Sequence, residues 1–252
     1  MRFEELAHAG RMVKSIAETA AAIPFPLVCP VCGSTRPSPE SAVCAACQLA
    51  LGYLQRAVCP HCRCYRPFSD SLCDACGDDS APRAVSVAAL LDTAWRDIVH
   101  ALKYRGDRAL ARPLAALMAQ TLPERLSVDV VVPVPTEERK RRERGYGHAE
   151  LLAEHVAAIH ELPVDSLVLE RTRRTKDQTR LSGRDREMNL HGALRVRANR
   201  DMRKQSILLV DDVMTTGATL REASRALIEA GATSVLSVVL CLNLGIVADG
   251  MF

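Results

Sequence analysis

The stretch Ile207 to Thr219, ILLVDDVMTTGAT, restricts the fold more than any other part of the chain. Ile207, Leu208, Leu209 and Val210 form an unbroken apolar run, which suits a strand buried on both faces of a parallel sheet. Two carboxylates follow, Asp211 and Asp212, and then Thr215, Thr216, Gly217, Ala218 and Thr219. Leu220, Ala223, Leu227 and Ile228 recur at helical spacing until Gly231 stops the pattern. The order is strand, acid pair, small-hydroxyl loop, helix. A helix start offers unpaired N–H groups and the positive end of the dipole, so it attracts phosphate. Gly217 allows backbone to come close, and the threonine hydroxyls can donate further hydrogen bonds. The ionised acid pair only accepts, which fits vicinal sugar hydroxyls or a hydrated Mg2+. A sugar bearing a 5-phosphate is therefore expected to be held at both ends. The stretch lacks both the Gly-Lys-Ser/Thr ending of a P-loop and the three glycines of a dinucleotide-binding turn.

A second constraint lies near the N-terminus. Nine of the ten cysteines fall between residues 29 and 76. Eight form four C-x-x-C pairs: Cys29/Cys32, Cys44/Cys47, Cys59/Cys62 and Cys73/Cys76. Cys29-Pro-Val-Cys32 recurs as Cys59-Pro-His-Cys62, and Cys44-Ala-Ala-Cys47 recurs as Cys73-Asp-Ala-Cys76. Each repeat carries four thiols, the donor set of one closed, structural, tetrahedral zinc site. Two zinc ribbons are expected, paired sequentially if the repeat is the guide; interleaved pairing fits the spacing equally. So short a segment, with few large apolar residues, needs its metal to fold. Cys64 and His61 read as loop positions. The domain reading is an N-terminal helix in 1–26 (amphipathic over 2–23 and ended by Pro24 and Pro26), a double ribbon in 27–80, and an α/β domain in 84–252.

In that last part strand and helix patterns alternate. Strands are expected at Ala84–Leu91, Asp129–Val134 and Leu167–Leu169, with helices at Ala94–Tyr104, Arg108–Gln120 and Ala149–His160. The fold class is thus α/β, a parallel sheet flanked by helices, with the site at the carboxyl ends of its strands. Arg139, Lys140, Arg141, Arg142 and Arg144 read as a basic loop before Gly145-Tyr146-Gly147-His148, suited to a polyanion such as pyrophosphate. The basic segment Arg171–Arg186, with Arg174, Lys176 and Arg180, reads as a flap that closes over phosphates. Lys103, at a helix end, either reaches a phosphate or stays a solvated cation.

The net charge of +3 and an aromatic content of 4% argue against nucleic-acid binding by charge alone or by an extended stacking surface. No leader or membrane-spanning stretch is read, so no membrane insertion and a cytoplasmic location are expected.

The 207–219 stretch resembles the phosphoribosyl pyrophosphate (PRPP) motif of type I phosphoribosyltransferases. Val132-Pro-Val-Pro135, Arg144-Gly-Tyr146, Ala149-Glu-Leu-Leu152 and Ala101-Leu-Lys-Tyr-Arg-Gly106, with the double ribbon, are similar to the ComF family (ComFC/GntX-like). The resemblance implies Mg2+-bound PRPP with its ribose on Asp211 and Asp212 and its 5-phosphate in Thr215, Thr216, Gly217, Ala218 and Thr219. Lys103, Arg144 and the flap residues Arg174, Lys176 and Arg180 would surround pyrophosphate. It also implies a role in DNA uptake, with single-stranded DNA or a competence protein as partner and an acceptor substrate that it does not name. No general base stands out. A threonine at 215 disfavours purine salvage, where the superfamily places an aspartate as proton acceptor. Family members usually carry Gln where this chain has His148, so that position is expected to behave differently. The other reading is a non-catalytic PRPP sensor, or an adaptor that binds nucleic acid or protein.

Overall fold

The computed structural model describes residues 27–65, 73–77, 81–172 and 192–244. The amphipathic helix expected over 2–23 and most of the expected flap, including Arg174, Lys176 and Arg180, lie outside them.

In chain order the elements are α1 (Ala45–Ala50), β1 (Arg56–Val58), β2 (Val85–Leu90), α2 (Thr93–Tyr104), a 3-10 turn (Arg108–Leu110), α3 (Ala111–Ala119), β3 (Val130–Pro133), α4 (Glu138–Arg144), α5 (His148–Ile159), β4 (Leu169–Arg171), β5 (Leu194–Val196), β6 (Ser206–Met214), α6 (Ala218–Glu229) and β7 (Ser234–Leu242). The main sheet runs β1-β2-β7-β6-β3. β2, β7, β6 and β3 are parallel; β1 pairs antiparallel with β2, Arg56 opposite Val87. β4 and β5 form a separate antiparallel pair.

The period of two along β6 divides the core. Leu208 and Val210 face Leu114, Leu152 and Val156, joined by Trp95, Ile98 and Leu102 of α2. Ile207 and Leu209 face the opposite side, against Leu220, Ala223 and Leu227 of α6 and against Leu169 and Leu194. The four-residue apolar run of β6 is buried on both sides, as a central parallel strand requires.

The fold is the expected mostly parallel sheet flanked by helices, with β1 from the cysteine-rich region added antiparallel at its edge. The structure corrects several finer expectations. The basic stretch 139–144 is α4 and not a loop, because Arg142 reaches Glu138 and Arg139 reaches Glu143 one turn apart. The strand expected at Leu167–Leu169 is Leu169–Arg171, and Leu167 is exposed. Arg171 therefore belongs to a strand end and not to a flap; its Nε donates to the Pro135 carbonyl at 3.0 Å. Ile228, read as part of the inner face of α6, is exposed.

The cysteine-rich segment is anchored to this core. Cys29, Val43, Cys44 and Leu51 pack into the cluster built around α2 and α3. Trp95 Nε1 donates to the Gly52 carbonyl at 2.9 Å, and Tyr53 meets the indole edge-on. The buried guanidinium of Arg36 forks onto Asp107 at 3.2 and 3.3 Å. Among the described residues no helix is long and apolar enough to cross a membrane.

Candidate functional site

A cavity of about 470 Å3 opens at the carboxyl ends of β2, β3 and β6, where ligands bind in sheets of this kind. Its wall includes Lys103, Arg144, His148, Arg171, Asp211, Asp212, Thr215, Gly217, Ala218 and Thr219. Thr216 turns away: its carbonyl accepts from Arg221 at 2.9 Å and its Oγ1 from the Ala218 N–H at 3.4 Å. β6 runs through the acid pair to Met214 instead of ending at Val210.

The two acids have different surroundings. Asp212 is buried, and its Oδ2 lies 2.7 Å from Lys103 Nζ and 2.8 Å from His148 Nε2. These are close polar contacts whose angles fall short of a well-aligned hydrogen bond at that oxygen. Burial opposes ionisation of Asp212, yet Lys103 and then His148 overcome it and hold the carboxyl well below the usual range. Burial likewise works against the charge on Lys103, but Asp212 keeps its pKa above that of an ordinary lysine. Asp211 shares the cavity without such close cations; burial first, and then the charge of Asp212, push it up to about 6. Its Oδ1 accepts the Asp212 N–H at 2.8 Å.

The Arg-Gly-Tyr-Gly-His segment carries its side chains to the wall by a sharp turn. Gly145 closes α4 at φ +78°, a conformation L side chains rarely adopt. Tyr146 is buried, and its hydroxyl donates to the Leu102 carbonyl. This ties the start of α5 to α2, the helix that carries Lys103. Arg144 lies over the Tyr104 ring, 4.4 Å from its centroid, and its Nη1 is 3.2 Å from His148 Nδ1. Guanidinium has no acceptor, so Nδ1 accepts and the ring proton sits on Nε2, toward Asp212. The tautomer is thus set by a neighbour.

Of the residues expected around pyrophosphate, Lys103 and Arg144 reach the wall. So do Lys140, from the basic stretch expected to meet a polyanion, and Arg171, from the expected flap segment, together with Arg96, His100 and Tyr104, which were not singled out for this site. Arg96, His100, Lys103 and Tyr104 lie on one face of α2. Their i, i+4 and i+7 spacing was a signal present in the sequence.

The cysteines gather as Cys29/Cys32/Cys44/Cys47 and Cys59/Cys62/Cys73/Cys76, the sequential pairing of the repeat. Cross-pair Sγ separations are 3.6 Å (Cys32–Cys44), 3.8 Å (Cys59–Cys76) and 3.6 Å (Cys62–Cys73). A tetrahedral zinc with bonds of about 2.3 Å places its sulfurs roughly 3.8 Å apart, so both groups fit that ion. His148, Asp211 and Asp212 also converge, their ligand atoms within 4.8 Å of one another. The hard oxygens of that group suit Mg2+.

A phosphoribosyl transferase domain model matches residues 101–245. The chain is 30% identical over 210 residues to the DNA utilization protein YhgH of Escherichia coli K12, spanning 80% of this chain and 91% of that protein. To the Salmonella typhimurium protein of the same name it is 32% identical over 211 residues, spanning 80% and 91%. To competence protein ComFC of Bacillus subtilis it is 28% identical over 211 residues, spanning 79% and 83%. The chain belongs to the phosphoribosyl transferase domain family, in the branch that includes ComFC.

Proposed function

We propose that this protein binds PRPP with Mg2+ and transfers its phosphoribosyl group to an acceptor, in the cytoplasm and in the service of DNA uptake. The observation that carries the reading is the shared cavity: paired carboxylates at one end and a threonine-rich helix start at the other. The ribose hydroxyls meet Asp211 and Asp212. The 5-phosphate meets Thr215, Thr219 and the leading N–H groups of α6, where dipole and unpaired donors favour an anion. Lys103, Arg144 and Arg171 stand where charge builds on departing pyrophosphate. Bound Mg2+ supplies further neutralisation of that charge. The contribution of the chain is to position and to exclude water; no side chain on the wall is needed as a base if the acceptor arrives as an anion.

The DNA-uptake element rests on the names of the relatives, DNA utilization protein and competence protein. The test is calorimetry of PRPP with Mg2+, followed by pyrophosphate release in a screen of nucleobases and small amines. Saturable binding with turnover supports the transferase. Binding without turnover on any acceptor favours a PRPP sensor, and no binding overturns both.

A further inference from the structure

The second cysteine cluster lies directly behind the phosphate loop. Pro60, inside the Cys59–Cys62 knuckle, points its carbonyl at Gly217, and a Cβ on Gly217 would sit 2.0 Å from that oxygen. Gly217 also holds φ +74°, so two independent constraints exclude a side chain there. One turn into α6, Arg221 Nη1 donates to the Pro60 carbonyl at 2.6 Å and to the Thr216 carbonyl at 2.9 Å. One guanidinium thus joins a ribbon carbonyl to a loop carbonyl. Arg63, on the same knuckle, donates to the Leu244 carbonyl at 3.3 Å. β1 ends at Val58, immediately before Cys59, and is bonded into the main sheet. The knuckle is therefore fixed on one side by the sheet and presses on the loop with the other. The first cluster has a different neighbour, Asp107 at the start of the 3-10 turn that follows α2, reached through Arg36.

Neither Pro60 nor Arg221 is part of the cavity wall, so any effect on a ligand passes through the loop. A phosphate cradle binds tightly only when its donors are already converged, because ordering them on binding consumes affinity. We infer that the knuckle Cys59/Cys62/Cys73/Cys76, through Pro60 and Arg221, positions the Thr215–Thr219 loop, so that metal in this cluster, and not in the first, controls affinity for a sugar 5-phosphate. The inference rests on the reading of that loop as the phosphate cradle.

The experiment compares full-length Cys76→Ser, Cys32→Ser, Arg221→Ala and Arg221→Lys by three readouts: zinc content, amide hydrogen exchange at residues 215–219, and calorimetry with PRPP and Mg2+. Arg221→Ala keeps both zincs, exchanges faster at the loop and binds PRPP roughly tenfold more weakly, as loss of a two-carbonyl clamp implies. Arg221→Lys, which keeps a donor, recovers most of that affinity. Cys76→Ser loses one zinc and behaves like Arg221→Ala. Cys32→Ser also loses one zinc but stays within about twofold of the parent, as a distant site should. Equal losses from both cysteine variants, or unchanged loop exchange in Arg221→Ala, overturn the inference. If the parent protein binds no PRPP while loop exchange still follows Arg221 and the second cluster, the mechanical coupling stands and the transferase reading falls.

Discussion

Lys103 Nζ stands 2.7 Å from Asp212 Oδ2, which joins the last turn of α2 to the tip of β6 across the floor of the cavity. Nothing but the fold brings together two residues so far apart in sequence. The pair satisfies the site electrostatically, because a buried acid is held charged by the ammonium beside it; on the proposed reading sugar hydroxyls use that acid and Lys103 turns toward pyrophosphate.

Lys103→Met is expected to lower unfolding free energy by about 3 kcal/mol, the low end for breaking a buried ion pair, because the ammonium is partly exposed and His148 remains. Urea denaturation checks this. Asp212→Asn should destabilise as well, by leaving Lys103 without its carboxylate, and should abolish PRPP binding. The double variant should lose less than the sum of the two, since the second change removes a charge already stranded. Strict additivity would show that the contact contributes nothing.

Asp211 yields a pH dependence with opposite signs for binding and stability. Its pKa stands at about 6, raised from an ordinary 3.8 by burial first and by Asp212 second. The ionised form accepts from sugar hydroxyls, so PRPP affinity falls as pH drops through 6. For stability, a raised carboxyl is a penalty that begins above the unfolded value and is complete above the folded one. Asp211→Asn is therefore expected to raise the melting temperature at about pH 8, to bring no such gain below about pH 4, and to flatten the binding profile. Calorimetry and thermal melts across this range decide the matter. A parent affinity independent of pH would remove Asp211 from the sugar site.

Trp95, the sole tryptophan, is fully buried between the core and the first ribbon. Removing metal from Cys29/Cys32/Cys44/Cys47 should loosen Gly52 and Tyr53 and admit water to the indole. A chelator is expected to red-shift its emission in step with release of the first zinc, and Cys29→Ser should show the shift without chelator. An unmoved spectrum at zero zinc would mean that the ribbon stays docked without its ion.

Local chemistry carried much of this into the sequence. The apolar run, the acid pair and the glycine–threonine loop specify strand, tip and helix start by local pattern alone, and the cysteine repeat points to the sequential grouping found, which the spacing left open. What escaped was of two kinds. α4 was legible in principle, since Glu138–Arg142 and Arg139–Glu143 are helix-spaced pairs, but its density of cations resembled a loop. β1 was not legible. Arg-Ala-Val is too short to carry a period, and its pairing with β2 is made by a partner almost thirty residues away. The contact between Pro60 and Gly217 is of that second kind. It depends on where the sheet delivers the knuckle, and no local pattern records it.

His148 is the last case, and here the geometry removes an apparent anomaly. The family resemblance led to an expectation of glutamine at the position. In the tautomer that the Arg144 contact favours, the ring accepts at Nδ1 and offers a proton at Nε2 to Asp212. A glutamine amide presents the same two functions, an oxygen to accept from Arg144 and an N–H for the carboxylate. His148→Gln is therefore expected to keep PRPP affinity within about threefold, a small fraction of one hydrogen bond. His148→Leu keeps the volume but leaves Arg144 and Asp212 each short of a partner, and should weaken binding by roughly tenfold or more. Calorimetry with PRPP and Mg2+ separates the two variants. Equal losses would mean that the ring itself touches the ligand; no loss in either would mean that Lys103 alone orients Asp212.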